Sequence, residues 1–392
     1  MRPQAPDTGS GGSESQDAQD TSLDLSRRRV LKGISGAAGG TALWTLGGGF
    51  SASEAAEGTN PTIARIPEYD AAIRKQVGGK TLTVGFTPPV LSEFFNVMEH
   101  ACFRRAHEYT ERFGIKWNWK RASPAGNFHA VEGQYNIIQN WITSGVDAIL
   151  VCTAGNFKDT QNLYEQARKK GITIIQFNMP VELWPVDKIE AVSSVGYNNI
   201  LQSGYAAGSY IADKLNGKGK ILQIWGPSGS TWSEARQKGL DMVLKENPGL
   251  KVVGKADGGY VRNKGFQAAQ NLLTSHPDVD AVYGENEEMA LGASQAIATQ
   301  GLKHWDGKDG ILTVGADGLP SGFQAIREGR LSATVQVGGV AQGLQLIHTL
   351  FSYHALGMSV GRILNVPCNV VDKSNVDIPD AYAAWALDAK SL

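Results

Sequence analysis

From Lys80 onward, short apolar runs alternate with segments of helical spacing, and this alternation leaves few folds open. The apolar runs predict strands at 82–86, 115–120, 148–152, 173–177, 192–195, 220–224, 251–255, 281–283, 312–315 and 333–336. Between them the spacing predicts helices at 94–113, 131–144, 158–170, 200–215, 232–246, 263–275, 289–300, 322–328 and 341–357. A strand, a crossover helix and a second strand form a parallel unit, so the fold class is α/β with helices on both faces of parallel sheets. The strands are too many for one comfortable open sheet. Gly196–Asn199 stands between two βα runs of similar size and reads as a crossing from one lobe to the other. In sheets of this kind ligands sit beyond the carboxyl ends of the strands, so the residues just after each strand are the ones to inspect.

The 392 residues suffice for two domains, and a formal net charge of −1 gives no reason to expect nucleic acid as a partner. Cys102, Cys152 and Cys368 have no metal-ligand spacing and read as small buried hydrophobes, with a disulfide from Cys102 or Cys152 to Cys368 left open. The first sixty residues read as an address. Met1–Asp24 is polar and is expected to be disordered. Ser26-Arg27-Arg28-Arg29-Val30-Leu31-Lys32 follows, resembling the twin-arginine export signal except for Val30. A Gly-rich apolar stretch from Gly33 to Phe50 comes next, too short and too Gly-rich to anchor in a membrane. The reading is a leader over 1–60 and a linker over 61–79, with 63–77 as a linker or short amphipathic helix.

The first strand is followed by Thr87-Pro88-Pro89-Val90-Leu91-Ser92-Glu93-Phe94-Phe95, which lacks the glycines of a phosphate loop. Neighbours on a helix point about 100° apart, so Phe94 and Phe95 cannot share one core stripe, and one of them is expected to face the cleft. An aromatic face suits the C–H surface of a sugar ring. Asn178 ends another strand and offers two donors and an acceptor to adjacent hydroxyls. Asn286 occupies the turn after Tyr283, where Glu285, Glu287 and Glu288 complement a helix N-terminus. Asp317 follows a further strand, and a carboxylate there accepts hydrogen bonds from two hydroxyls at once.

Residues from about Lys80 to Val371 resemble the periplasmic sugar-binding proteins of the ribose-binding type. The likeness is strongest over Tyr260–Ala293, with Asn271-Leu272-Leu273-Thr274-Ser275-His276-Pro277-Asp278-Val279 running into the Asn286 motif. It extends to Val314–Gly318 and Arg236-Gln237-Lys238-Gly239. The resemblance implies two Rossmann-like lobes joined by a three-segment hinge, the type I periplasmic binding protein fold. Residues 80–197 with 338–366 would form one lobe and 198–337 with 367–392 the other. Phe94, Phe95 and Tyr260 would be the sugar-facing rings, and Asn178, Lys238, Asn286, Asp317 and Gln336 the polar ligands. Ser92, Met179, Trp184 and Arg236 stand as further lining. Asn178-Met179 replaces an Asp–Arg pair of the family, so a bidentate clamp is lost and a less charged site is expected.

The resemblance further implies a sugar or polyol ligand, no cofactor, no metal, and delivery to the permease of an importer outside the cytoplasm by a monomer. Feeding a membrane receptor, or binding another small polar metabolite, remains the alternative. An enzyme is disfavoured because Asp317 is the one carboxylate expected in the cleft and His100, His107 and His129 have no partner motif. A transcription regulator is disfavoured because no helix-turn-helix pattern precedes the core.

Overall fold

The computed structural model describes residues 66–392 except 126, 127, 129, 185 and 198. The expected leader, His129 and Pro185 lie outside the described residues. The first described element is a helix, α1 (Ile66–Val77), the second of the two readings of 63–77 as linker or short amphipathic helix. It buries Ile73 and Val77, and Asp70 holds Arg112 at 2.8 Å.

One sheet contains β1 (Thr81–Thr87), β2 (Lys116–Arg121), β3 (Ala148–Val151), β4 (Thr173–Phe177), β5 (Ser193–Tyr197) and β11 (Ile363–Asn365). The second contains β6 (Lys218–Trp225), β7 (Gly249–Asp257), β8 (Ala281–Gly284), β9 (Leu312–Asp317), β10 (Ala333–Gln336) and β12 (Asn369–Asp372). Their orders, β2-β1-β3-β4-β5-β11 and β7-β6-β8-β9-β10-β12, repeat the same pattern. Every pairing is parallel except β10 with β12. Helices cover both faces, so β3, β4 and β8 are buried throughout their length and read as unbroken apolar runs.

In the first lobe the helices are α2 (Glu93–Phe113), α3 (Val131–Ser144) and α4 (Gln161–Lys169). In the second they are α5 (Asn199–Lys214), α6 (Thr231–Glu246), α7 (Arg262–Ser275), α8 (Glu287–Thr299) and α9 (Pro320–Arg327). The chain passes between lobes after β5, after β10, where α10 (Gly339–Leu350) returns to the first lobe, and between β11 and β12. Two short strands, β11 and β12, were not anticipated because their apolar runs are too brief to show a period, and a last helix, α11 (Asp377–Leu387), because its alanines give little contrast between faces. The helix expected at 341–357 ends at Leu350 and closes with a π-turn over Phe351–Ala355.

Close helix packing fixes the second lobe. A Cβ on Gly204 of α5 would fall 2.0 Å from the Arg236 carbonyl of α6, and one on Gly239 would fall 2.2 Å from the Leu201 carbonyl. Only glycine lets these helices approach so closely, and the approach sets where α6 carries Arg236. Cys102 and Cys152 are buried, and Cys368 is half-buried with its thiol donating to the Asn199 carbonyl at 3.0 Å.

Candidate ligand-binding site

The strand ends of the two sheets face one another across a small cavity of about 40 Å³, lined by Phe94, Phe95, Phe128, Asn178, Trp232, Arg236, Tyr260, Asn286 and Asp317. This is far below the range for small-molecule sites, so the lobes must part to admit a ligand.

The first lobe contributes rings and one amide. Ser92 takes the N-cap position of α2 in extended conformation, and the first turn then presents Phe94 and Phe95. Both line the cavity, where helix geometry alone pointed to one and the resemblance to both. Their rings meet edge to face at 5.2 Å, and Phe95 meets the edge of Phe177 at 6.2 Å. Asn178 has a left-handed backbone, φ 50°, which an asparagine tolerates better than most residues. That turn lets its N–H donate to Val195 O (3.0 Å) while its side chain leaves the sheet. Asn178 Oδ1 is buried and has no hydrogen-bond partner among the described residues.

The second lobe contributes charge. Arg236, from α6, places Nη2 3.3 Å from Asp317 Oδ1 at the end of β9, and its guanidinium lies over the Tyr260 ring, 5.9 Å from the centroid. Arg236 Nε is buried without a partner among the described residues. Burial drives the Asp317 carboxyl up to about 7, against the pull of Arg236. The Tyr260 hydroxyl is shared with Ser230 Oγ (2.9 Å) and Ser233 Oγ (2.7 Å). Tyr260 adopts φ 60°, and a Cβ on Gly226 would lie 2.1 Å from its ring, so glycine is required there. Asn286 caps α8, its Oδ1 accepting the Met289 N–H at 2.9 Å.

Two of the acids expected merely to complement a helix start are buried beneath this half. Glu285 accepts from Gly226 N (3.1 Å) and Gln223 Nε2 (3.0 Å), and burial raises its carboxyl to about 7. Glu287 accepts from Gly318 N (2.9 Å), Leu319 N (3.0 Å) and the Thr334 hydroxyl, so it braces the turn carrying Asp317; burial raises it to about 8. Glu288 faces outward to Arg262.

The lobes touch across the cavity. Trp232 Nε1 donates to the Asn178 carbonyl at 2.8 Å. Phe128 stands edge-on to Tyr260 (5.1 Å) and Trp232 (6.5 Å). Ser321, at the start of α9, donates its hydroxyl (2.6 Å) and its N–H (3.2 Å) to Glu93 at the start of α2.

Other expected site residues are placed differently. Lys238 is exposed; two residues on a helix are about 200° apart, so with Arg236 turned inward Lys238 faces away. Gln336 lines a separate groove beside the hinge with Val366, Pro367 and Tyr382. Ser92 lines another groove with Glu99 and Arg121. Met179 is fully buried behind the wall, its sulfur accepting from Thr153 N at 3.2 Å, and half-buried Trp184 is not among the lining residues. Phe128 and Trp232 were missed. Trp232 lies one helical turn before Arg236, so their i, i+4 spacing offered a signal, whereas the loop holding Phe128 has no period to read.

Residues 84–355, more than half of the chain, match the periplasmic binding protein domain. The chain belongs to the periplasmic binding protein family. It is similar to the ribose import binding protein of Escherichia coli, 37% identical over 148 residues, which are 38% of this chain and 47% of that protein. It is also similar to the xylitol-binding protein of Mycolicibacterium smegmatis, 28% identical over 242 residues, 60% of this chain and 62% of that protein. The chain thus spans about half to three-fifths of the length of these curated relatives. A solved solute-binding protein of an ABC transporter from Bacillus halodurans, with bound myo-inositol, is 28% identical with a TM-score of 0.66, covering 78% of this chain and 98% of that one. The two lobes are therefore those of a type I periplasmic binding protein, a family of solute-binding proteins located in the periplasm.

Proposed function

We propose that the protein is the solute-binding component of an ABC importer and encloses a sugar or polyol of monosaccharide size between its lobes. The observation that carries this reading is the pair of buried, unpartnered atoms, Asn178 Oδ1 and Arg236 Nε, one in each lobe and both on residues lining a cavity walled by five aromatic rings. A buried polar atom without a partner is costly, so each calls for a ligand group. Asn178 Oδ1 accepts from a hydroxyl; Arg236 donates to a hydroxyl or ring oxygen. Asp317 accepts from a hydroxyl, and Asn286, whose oxygen is committed to its cap, donates through its amide. The rings of Phe94, Phe95, Phe128, Trp232 and Tyr260 cover the apolar faces of the carbon skeleton. Names of relatives that include ribose, xylitol and myo-inositol support this ligand class.

Binding proceeds by hinge closure over the three crossings, which brings the two half-sites together. Export by the twin-arginine route, with Ser26–Lys32 as its signal, and action as a monomer complete the proposal.

A thermal-shift screen of pentoses, hexoses, inositols and linear polyols tests it, since a ligand that binds only the folded chain raises its apparent stability. The expected result is a shift with at least one of them, one-to-one binding by calorimetry, and about tenfold or greater loss of affinity in Asp317→Ala. No shift across the panel, or unchanged affinity in the variant, would overturn it.

A further inference from the structure

The last helix, α11, lies outside the matched domain of residues 84–355 and joins both lobes. It leaves the second lobe after β12. There Arg327 of α9 holds Asp377 Oδ1 at 2.9 Å and Asp380 Oδ2 at 2.7 Å, and Ala383 packs among Phe323, Ile326 and Val371. Less than one turn later the helix belongs to the first lobe. Ala386 packs with Val97 and Ala101 of α2 and with Val340 of α10. Arg104 of α2 donates to the Trp385 carbonyl (2.7 Å), pairs with Asp388 (3.0 Å), and lies over the Trp385 ring. His100 and His107, which had no partner motif in the sequence, reach the carbonyls of Ala389 (3.1 Å) and Lys390 (2.8 Å).

The helices so tied, α2 and α9, are the same two whose first turns meet through Glu93 and Ser321 at the mouth of the cavity. Opening must move α2 relative to α9. A rigid helix fastened to both cannot follow both, so one set of its contacts must break.

We propose that α11 is a strap that favours the closed arrangement of the lobes before any ligand arrives and retards ligand release afterwards. A strap fastened to one lobe would leave the equilibrium unchanged, because only contacts that differ between two states shift their populations. The proposal does not depend on which solute the cavity takes.

The test uses the full chain without ligand. Spin labels carried on bio-orthogonal amino acids at positions 158 and 264, exposed sites on opposite lobes, report the interlobe distance. The wild-type chain should show a dominant short distance. The Arg104→Ala, Arg327→Ala double variant should gain a long-distance population, with the open-to-closed ratio rising about fivefold, the scale expected for two exposed ion-pair clusters. The substituted residues are on the surface, and a melting curve verifies folding. The charge-reversed set Arg327→Glu, Asp377→Lys, Asp380→Lys restores attraction at one end and should return the single variant Arg327→Glu toward the short distance. Identical distributions in wild type and double variant, or failure of the reversed set to recover the short distance, would overturn the strap.

Discussion

The two half-sites are built on opposite principles. The first lobe offers Phe94, Phe95, Phe128 and one neutral amide, Asn178, with Met179 turned into the core behind it. The second lobe adds two rings, Trp232 and Tyr260, but also the Arg236–Asp317 pair, with Glu285 and Glu287 buried beneath. Its dipoles and charges are already held by Gly226, Ser230, Ser233 and the 318–319 amides. Orientation of a ligand therefore belongs to the second lobe, where fixed donors and acceptors cost nothing further to arrange. The first lobe supplies contact area that is less particular about stereochemistry.

The sharpest way to break this contrast is to remove Arg236. Arg236→Ala leaves Asp317 buried without its cation and should weaken binding by about 3 kcal/mol or more, measured by calorimetry with a hit from the screen. If Phe94→Ala costs more than this, the division of labour is wrong.

The second difference is in pH response. Glu285 and Asp317 stand at about 7 and Glu287 at about 8 in the folded chain. Their unfolded values are near 4. The folded chain thus keeps protons that the unfolded chain has released. This stabilisation is complete below about pH 4 and fades as pH rises through 7 and 8. Unfolding free energy should fall by on the order of 5 kcal/mol between about pH 6 and pH 8, read from urea denaturation, and Glu287→Gln should flatten that slope. An unchanged slope in the variant would move the effect away from Glu287.

Smaller effects sharpen the contrast. Phe94→Ala should lower affinity by about 2 kcal/mol for the lost ring contact, similarly for stereoisomeric ligands. Trp232→Phe keeps an aromatic but loses the bond to the Asn178 carbonyl, and should cost about 1 kcal/mol in the same titration. Lys238→Ala should leave affinity within about 0.5 kcal/mol of wild type, because that side chain points to solvent.

The same contrast explains what the sequence made legible. The βα alternation and the doubled strand pattern were readable because buried parallel strands are continuous apolar runs. Phe94, Phe95, Asn178, Asn286 and Asp317 were found because each sits directly at a strand end or helix start, where the fold rule points. Arg236 and Lys238 were both named, with Lys238 ahead, because a motif alone does not say which of two basic residues faces inward; that is decided by the glycine-mediated approach of α5 and α6. Gln336 closes β10 in register with Asp317 but lines the groove beside the hinge instead of the cavity. Phe128 was invisible because its position depends on tertiary contacts with Trp232 and Tyr260, not on local period. The last helix escaped because its alanines give weak amphipathic contrast, although it spans two lobes.

Trp232 has one further consequence. Its indole proton is bonded to a carbonyl on the opposite lobe, so solvent deuterium can reach that proton only when the halves part. Among the nine indole resonances of this chain, one should therefore act as a clock. Its exchange lifetime would count the excursions of the empty protein, and should lengthen when a solute is trapped.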